Sequence, residues 1–294
     1  SLFLLALGRA RAAKLAPASP PALKPKSEWK LLGKSQPRVD MHAKVTGAPV
    51  FGIDVDLPDM LHATVKMSPR FGAKALSFGA DETMKVPGVI KVVPIETTYG
   101  SGFGIIASNT WAAFKGAEAL SVDWDAAPYP ADSEAMFASL AETVATPASF
   151  SLRDDGDVDA AFAGAPAGEL IEAEYTVPWL AHACMEPMNA TAQFRDGKLD
   201  VWSPNQAPTL IQMTAATLLG IETDAVRVHT TSMGGGFGRR AELDFSQYAV
   251  LLARETDGRP VKVTWTREED MRHDAYRPAA LCRARARIVR GEGL

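Results

Sequence analysis

The sequence predicts an α+β fold, a mixed α/β chain of two domains joined by a connector. Three observations carry this. Apolar residues alternate in short runs such as "LSVDWD" and "AVRVHTT", the pattern of strands. Other stretches repeat at helical spacing, as at Trp111, Phe114, Ala117 and Leu120. Turn signals separate the two kinds, among them Pro87-Gly88 and Asp196-Gly197.

Residues 1–37 read as the end of a preceding segment and a linker. The opening "SLFLLALGRARAAKL" has a short apolar run and no basic region before it, so it reads as an amphipathic helix whose beginning is missing rather than as a secretory leader. Residues 16–37 are rich in Pro, Lys and Ser, as linkers are. Residues 38–125 read as a compact α/β domain. Within it, "APVFGIDVDLPDMLHATVKMSP" gives two strands around a Leu-Pro-Asp turn, and "DETMKVPGVIKVVPIE" a short helix, a turn and a strand. "GFGIIAS" is a strand, "TWAAFKGAEAL" a helix and "LSVDWD" a strand. Residues 126–168 form a connector with one helical pattern near "SEAMFASLAET".

A second domain occupies residues 169–294. "ELIEAEYTVPWLAHA" is extended, and "TAQFRDGKLDVWSP" is a hairpin turning at Asp196-Gly197. "APTLIQMTAATLLG" is a helix, with Pro208 early and Gly220 just past its end. The strand "AVRVHTT", the glycine run, the helix "AELDFSQYAVLLARETDG" and the strand "PVKVTWTRE" follow. The closing "RARARIVRGEGL" stops within an alternating pattern, as a piece of a longer chain would.

Composition narrows the function. A net charge of −4 and a pI near 5.8 argue against nucleic acid or an anionic membrane as the main partner. Two cysteines, Cys184 and Cys282, make neither a disulfide framework nor a four-thiolate metal site. No apolar run reaches the roughly 18 residues that span a bilayer.

The densest signal is "SMGGGFGRR", residues 232–240. Glycine in a folded segment costs about 0.5–1 kcal/mol relative to alanine, so a cluster needs a reason. Positive φ in a tight turn is one; close approach of a ligand to peptide N–H groups is the other. Between a strand and a helix, such a loop makes a site for anionic or oxo ligands. The bland alternative is a turn with no ligand. The run is not G-x-G-x-x-G and lacks the Lys-Ser/Thr ending of a P-loop, which disfavours an ordinary nucleotide site.

"GGGFGRR" after a strand, with "SPNQAPTLIQMTAATLLGI" upstream, resembles the molybdopterin-binding large subunit of the xanthine dehydrogenase and aldehyde oxidase family, closest to the isoquinoline 1-oxidoreductase β-subunit type. "PRVDMHAKVTGAPVFGIDVDLPDMLHATV" with "VPGVIKVVPIE" resembles its a/b hammerhead domain. "YTVPWLAHACMEPMNATA" and "WTREEDMRHDAYRPAA" resemble parts of its first cofactor-binding domain. The resemblance implies a hammerhead domain followed by the first part of a molybdenum-cofactor-binding domain. It implies hydroxylation of aldehydes or electron-poor aromatic rings with water as oxygen source, on a molybdopterin-type cofactor whose dithiolene, not the protein, holds the metal. Phe237 matches the Phe whose backbone N–H faces an oxo ligand of the molybdenum. Gly235, Gly236 and Gly238 match glycines that let the cofactor approach the backbone. Gln206 matches the Gln whose side-chain amide reaches the molybdenum oxygen.

The resemblance places the family's general base, a Glu, and most pterin contacts beyond residue 294. These residues alone are therefore expected to hold no catalytic residue and to lack activity. Electrons are expected to leave through a small partner subunit carrying 2Fe-2S clusters; a cytochrome c or flavin subunit is a further partner the resemblance allows. It leaves the compartment open between bacterial periplasm and cytoplasm. Two departures stand out: Cys184 replaces a usual Pro, and Ala241 stands where some relatives carry a substrate-binding Glu. Two other readings stay open, a non-catalytic assembly module with a structural glycine turn and an enzyme binding a nucleotide phosphate.

Other residues have simpler expectations. His182 and Cys184 alternate, as metal ligands on a strand would, but no further ligands are evident, and His182 reads as a hydrogen-bonded residue near the core. Glu186 reads as structural, since one carboxylate without a partner does not define acid–base chemistry. Arg239 and Arg240 are either structural or contacts for a phosphate or carboxylate. "REEDMRHD" reads as a solvated helix face.

Overall fold

The computed structural model describes residues 22–130, 132–166 and 168–289. They fall into two units, divided between Pro49 and Val50. In the first, a 3-10 turn at Lys26–Glu28 and the short helix α1 (Met41–Val45) stand in exposed, irregular chain. Neither element buries a residue, as expected of a Pro- and Lys-rich segment with little apolar surface to hide. The helix expected within residues 1–15 and the last residues of the closing strand pattern, 290–294, lie outside the described residues.

The second unit carries strands β1 (Leu61–Met67), β2 (Ala75–Gly79), β3 (Val89–Thr97), β4 (Gly100–Ala107), β5 (Ser121–Trp124), β6 (Leu170–Val177), β7 (Asn189–Arg195), β8 (Lys198–Ser203), β9 (Val226–Thr230), β10 (Val261–Thr264) and β11 (Ala280–Arg287). Its helices are α2 (Asp81–Lys85), α3 (Thr110–Ala119), α4 (Ser133–Val144), α5 (Val158–Phe162), α6 (Pro208–Leu219), α7 (Asp244–Ala253) and α8 (Arg267–Arg272). Seven strands form one mixed sheet in the order β3-β4-β1-β10-β7-β8-β9. β1 runs parallel to β10, and β8 to β9; the other neighbours are antiparallel. One sheet therefore joins strands from the two segments, 38–125 and 169–294, that the sequence suggests as separate domains. β6 pairs with β11 and β2 with β5 in two small ribbons.

Local chemistry sets the ends of these elements. Asp196 and Gly197 close the β7–β8 hairpin at φ 52° and 71°, the left-handed pair that matches strand twist. The side chains of Asn109, Asp132, Asp157 and Thr266 cap α3, α4, α5 and α8 by accepting an N–H of the first turn. Gly220 ends α6 at φ 65°.

One expected strand is absent. Residues 51–55 form a 3-10 turn, Gly52–Asp54, with only a bridge from Phe51 to Ser232. The Asp54 carboxylate accepts the Phe51 N–H at 3.0 Å and bends the chain locally, a competition that Asp often wins against strand pairing.

Helix α7 lies against the sheet and is buried along most of its length, with Phe245, Tyr248, Ala249, Val250 and Leu252 in the main core. Trp265 stacks on Tyr248 at 5.8 Å between centroids. The close approach requires Gly104 on β4, where a Cβ would stand 2.5 Å from Leu252 Cδ2. Gly104→Ala is expected to cost about 1–3 kcal/mol through overpacking. Leu252→Ala vacates the clash, so the double variant should lose less than the two single losses combined. Urea unfolding of both single variants and the double variant measures this; strictly additive losses would contradict the contact.

Candidate functional site

The loop that follows β9 is built by tying down its carbonyls. Glu186 N–H donates to Gly234 O at 3.1 Å, and Arg239 N–H to Gly236 O at 2.8 Å. Arg240 Nε donates to Gly235 O at 2.8 Å. The Cys184 thiol lies 3.6 Å from Gly236 O. On the amide side, Gly234 N–H donates to Glu186 Oε2 at 2.7 Å, and Gly238 N–H to Gln206 Oε1 at 3.1 Å. The N–H groups of Gly235, Gly236 and Phe237 find no acceptor among the described residues. Three consecutive peptide donors are thus left over by a loop in which the carbonyls of Gly234, Gly235 and Gly236 are held, and unsatisfied donors in a fixed loop are a ready anion or oxo site.

The backbone conformation explains most of the glycines. Gly235 and Gly238 have φ of 102° and 96°. Phe237 also stands in the left-handed region, at φ 53°, with its side chain 76% exposed. A bulky residue there is strained. Gly236 is different. Its φ is not positive, but a Cβ would meet Gln206 Oε1 at 2.8 Å, so it is glycine to admit the Gln206 amide.

Gln206 joins β8 to α6. Its N–H donates to Arg240 O at 2.9 Å, and Asn205 braces the following turn by accepting Ala207 N–H. With Oε1 occupied by Gly238, its Nε2 is left without an acceptor among the described residues. The structure therefore brings Gln206, Gly235, Gly236, Phe237 and Gly238 together, with four neutral donors free.

The helix does not follow directly on the loop. A 3-10 turn, Arg239–Ala241, intervenes, and α7 begins at Asp244. The expected helix N-terminus is therefore not part of the donor set. The two arginines explain why. Arg239 and Arg240 are 1% and 0% exposed and reach back under the loop. Arg239 makes a bidentate pair with Asp244, 2.8 and 2.7 Å, and lies 2.7 Å from Asp274. Burial works against its charge, but the carboxylates outweigh it and hold the guanidinium above its ordinary range. Arg240 donates to Glu186 O at 2.7 Å and to Glu186 Oε2 at 3.1 Å. Neither arginine is free to meet a phosphate.

Glu186, expected to be structural, is the hub. Oε1 accepts Ile53 N–H and Asn189 Nδ2, each at 3.0 Å, and Oε2 accepts from Gly234 and Arg240. Gly52 lets Asn189 approach, since a Cβ there would sit 2.5 Å from Asn189 Oδ1. His182 Nδ1 lies 3.1 Å from Asp274 Oδ1, and no cluster of three metal-ligating side chains occurs among the described residues.

The stretch "REEDMRHD" is not a solvated face. Asp270, His273 and Asp274 are buried. Arg267 donates to Cys184 O at 2.7 Å and pairs with Asp270. Glu269 accepts Met67 N–H at 2.6 Å, and His273 Nε2 lies 3.0 Å from Tyr248 OH. Asp274 turns inward to Arg239 of the loop floor, while Asp270 pairs with Arg267 and Glu269 with the Met67 peptide. The site as a whole suits a ligand that offers oxygen acceptors: its free groups are neutral donors, and the charges beneath are paired.

Comparison with known proteins bears on the ligand. The family described as the molybdopterin cofactor-binding domain matches residues 141–289. A membrane-bound aldehyde dehydrogenase (pyrroloquinoline-quinone) of Gluconacetobacter polyoxogenes is 32% identical over 271 residues, which cover 90% of this chain and 35% of that protein. Isoquinoline 1-oxidoreductase subunit beta of Brevundimonas diminuta is 31% identical over 277 residues, 91% of this chain and 35% of that protein. The chain thus spans about a third of these relatives' length. Among solved structures, quinoline 2-oxidoreductase from Pseudomonas putida 86 has a TM-score of 0.67 at 24% identity, covering 85% of this chain and 36% of that one. The aldehyde oxidoreductase from Desulfovibrio desulfuricans ATCC 27774 has a TM-score of 0.68 at 19% identity, covering 87% and 33%. At those identities the likeness is one of fold.

The floor of the site sets a pH dependence of stability. Burial pushes the Glu269 carboxyl up to about 7, against the pull of the Met67 N–H, and pushes the His273 imidazole down to about 4. Between pH 4.5 and 7 the folded chain keeps a proton on Glu269 that the unfolded chain releases, so stability falls as pH rises. Between pH 4 and 6.5 the unfolded chain binds a proton on His273 that the folded chain refuses, so stability rises with pH. The slopes oppose. Glu269→Gln should steepen the rise from pH 4 to 6.5, and His273→Gln should leave only the fall. Tm against pH for both variants checks the signs; parallel profiles would contradict both assignments.

Proposed function

The chain belongs to the molybdopterin cofactor-binding domain family, and from that premise we propose that its protein is a molybdenum hydroxylase acting on aldehydes or N-heteroaromatic compounds. When bound, the cofactor supplies the two-electron oxidation, with water as the oxygen source. The observation that carries the reading is the set of free donors at Gly235, Gly236, Phe237 and Gln206 Nε2. These suit an oxygen-bearing cofactor: neutral N–H groups stabilise negative charge on its oxygens without competing as ligands. The paired charges beneath keep carboxylate and guanidinium groups away from the ligand. Gly235 and Gly238 carry no side chain that would narrow the approach, and Gly236 admits the Gln206 amide. The aldehyde and isoquinoline chemistries named for the two relatives support the substrate class.

The electrons of the oxidation must leave. The two cysteines of this chain, one of them buried, do not provide a four-thiolate cluster site. A small subunit carrying 2Fe-2S clusters is the partner we assign to that step.

Two variants of the intact protein test the reading. Gly236→Val drives a branched side chain into the Gln206 amide and should abolish cofactor retention. Gln206→Ala should keep the cofactor and lose one held donor, lowering kcat by about 10²–10³, roughly 2.7–4 kcal/mol. Molybdenum per chain beside kcat separates them. Full metal and activity in Gly236→Val would leave the loop as a turn only.

A further inference from the structure

We infer that Glu186 is the positioning residue of the cofactor loop, acting through Arg240 and the Gly234 peptide rather than by touching the cofactor. The inference rests on the loop being the cofactor site proposed above. Four groups converge on this carboxylate, and all four are donors: Ile53 N–H, Asn189 Nδ2, Gly234 N–H and Arg240 Nη2. They come from three stretches of chain: the turn at Ile53, Asn189 just beyond Glu186 itself, and the glycine run that holds both Gly234 and Arg240. Only a group that accepts on both oxygens satisfies them. Glutamine has almost the same shape but must aim an NH₂ at donors on one side or the other.

The consequence runs directly to the free amides. Glu186 Oε2 fixes the Gly234 N–H, and the Glu186 N–H fixes the Gly234 carbonyl, so the two peptide groups flanking Gly234 are held by one residue, the second of them the group that carries the Gly235 N–H. Arg240, oriented by the same carboxylate, holds the Gly235 carbonyl. Fixing the Gly235 carbonyl fixes the plane of its peptide, and with it the Gly236 N–H. Arg240 is well suited to this. It also reaches Pro204 O at 3.4 Å, so the guanidinium spans the loop, the segment before Gln206 and the hub. A lysine cannot make these contacts at once. The apposition is tight as well: a Cβ at Gly234 would collide with Glu186 Cβ, so the loop cannot shift past the hub.

The test uses the intact protein with Glu186→Gln, Glu186→Asp and, as a control, Thr83→Val. The control removes a buried hydrogen bond, Thr83 Oγ1 to Gly116 O, far from the loop in the chain. Hydrogen exchange of the cofactor-free protein reads the clamp without the cofactor. Amides of residues 232–243 should exchange at least about tenfold faster in Glu186→Gln than in the wild type, with β7 and α7 unchanged. Thr83→Val should leave that segment unaltered. Molybdenum per chain should fall at least about fivefold in Glu186→Gln and recover in part in Glu186→Asp, which keeps an acceptor-only group. In the fraction that retains metal, the paramagnetic resonance signal on partial reduction should shift in Glu186→Gln and not in the control. Unchanged exchange in Glu186→Gln overturns the clamp, whatever the metal content. Faster exchange with full metal and an unshifted signal overturns the role toward the cofactor, and places the failure in the reading of the loop. General unfolding of Glu186→Gln is separated by Glu186→Asp: if Asp folds and shows neither looser exchange nor lower metal than wild type, carboxylate placement at 186 does not matter and the inference falls.

Discussion

The pairing of Arg240 with Glu186 is the interaction on which the site depends. It places one positive and one negative charge where water does not reach, and such a pair is tolerated only when the remaining hydrogen-bonding capacity is filled. Here it is filled by backbone: carbonyls of Pro204, Gly235 and Glu186 on the guanidinium, N–H groups of Ile53 and Gly234 on the carboxylate. Burial still pulls the Arg240 guanidinium below its ordinary value, since a single carboxylate offsets it only in part. The pair therefore earns its place less by net stability than by geometry. It makes one conformation of the loop compatible with satisfied partners, and a slipped loop would strand a buried charge at a cost of about 3–5 kcal/mol.

Arg239 extends the same logic outward. Its partners Asp244 and Asp274 belong to the first turn of α7 and to the segment after α8, and Asp274 in turn lies against His182. Arg267 closes the circuit by holding the Cys184 and Met185 carbonyls. The segment 182–189, the glycine loop and the stretch 265–274 are thus one polar assembly lying along the apolar core that Phe245, Tyr248 and Trp265 supply. The rigid elements bring hydrophobic burial, and the polar assembly converts that rigidity into placement of peptide groups.

Much of the fold is legible in the sequence because local chemistry decides it. The Asp196-Gly197 hairpin, the Pro208 start and Gly220 stop of α6, and the alternation in β5 and β9 need no knowledge of partners. What local pattern misreads is decided at a distance. Residues 50–55 alternate like a strand, yet Ile53 is claimed by Glu186 and Lys262, so the chain turns there. "REEDMRHD" has the composition of a solvent face, yet three of its side chains are buried because Asp274 meets Arg239, His273 meets Tyr248 and Asp270 pairs with Arg267. The residues of the site itself are visible as a motif. The hub is less so, although a glutamate between apolar neighbours in "CMEPMN", with an arginine pair elsewhere, is the kind of charge that must find a buried partner.

The parallel seam between β1 and β10 has a consequence for how the chain is made. Leu61 pairs with Val261 and Ala63 with Val263. During synthesis, β1 can meet β4 within seconds, but its other edge waits for about 200 more residues, roughly 10–40 s at about 5–20 residues per second. Until then the ribosome carries a sheet with an open, apolar edge, the template on which chains pair with their neighbours. The same strand supplies a brake. Lys66 and His62 interrupt its apolar pattern, and a charge on an unpaired edge discourages association with a second nascent chain. A seam that is silent in the finished molecule therefore governs how crowded its birth can be.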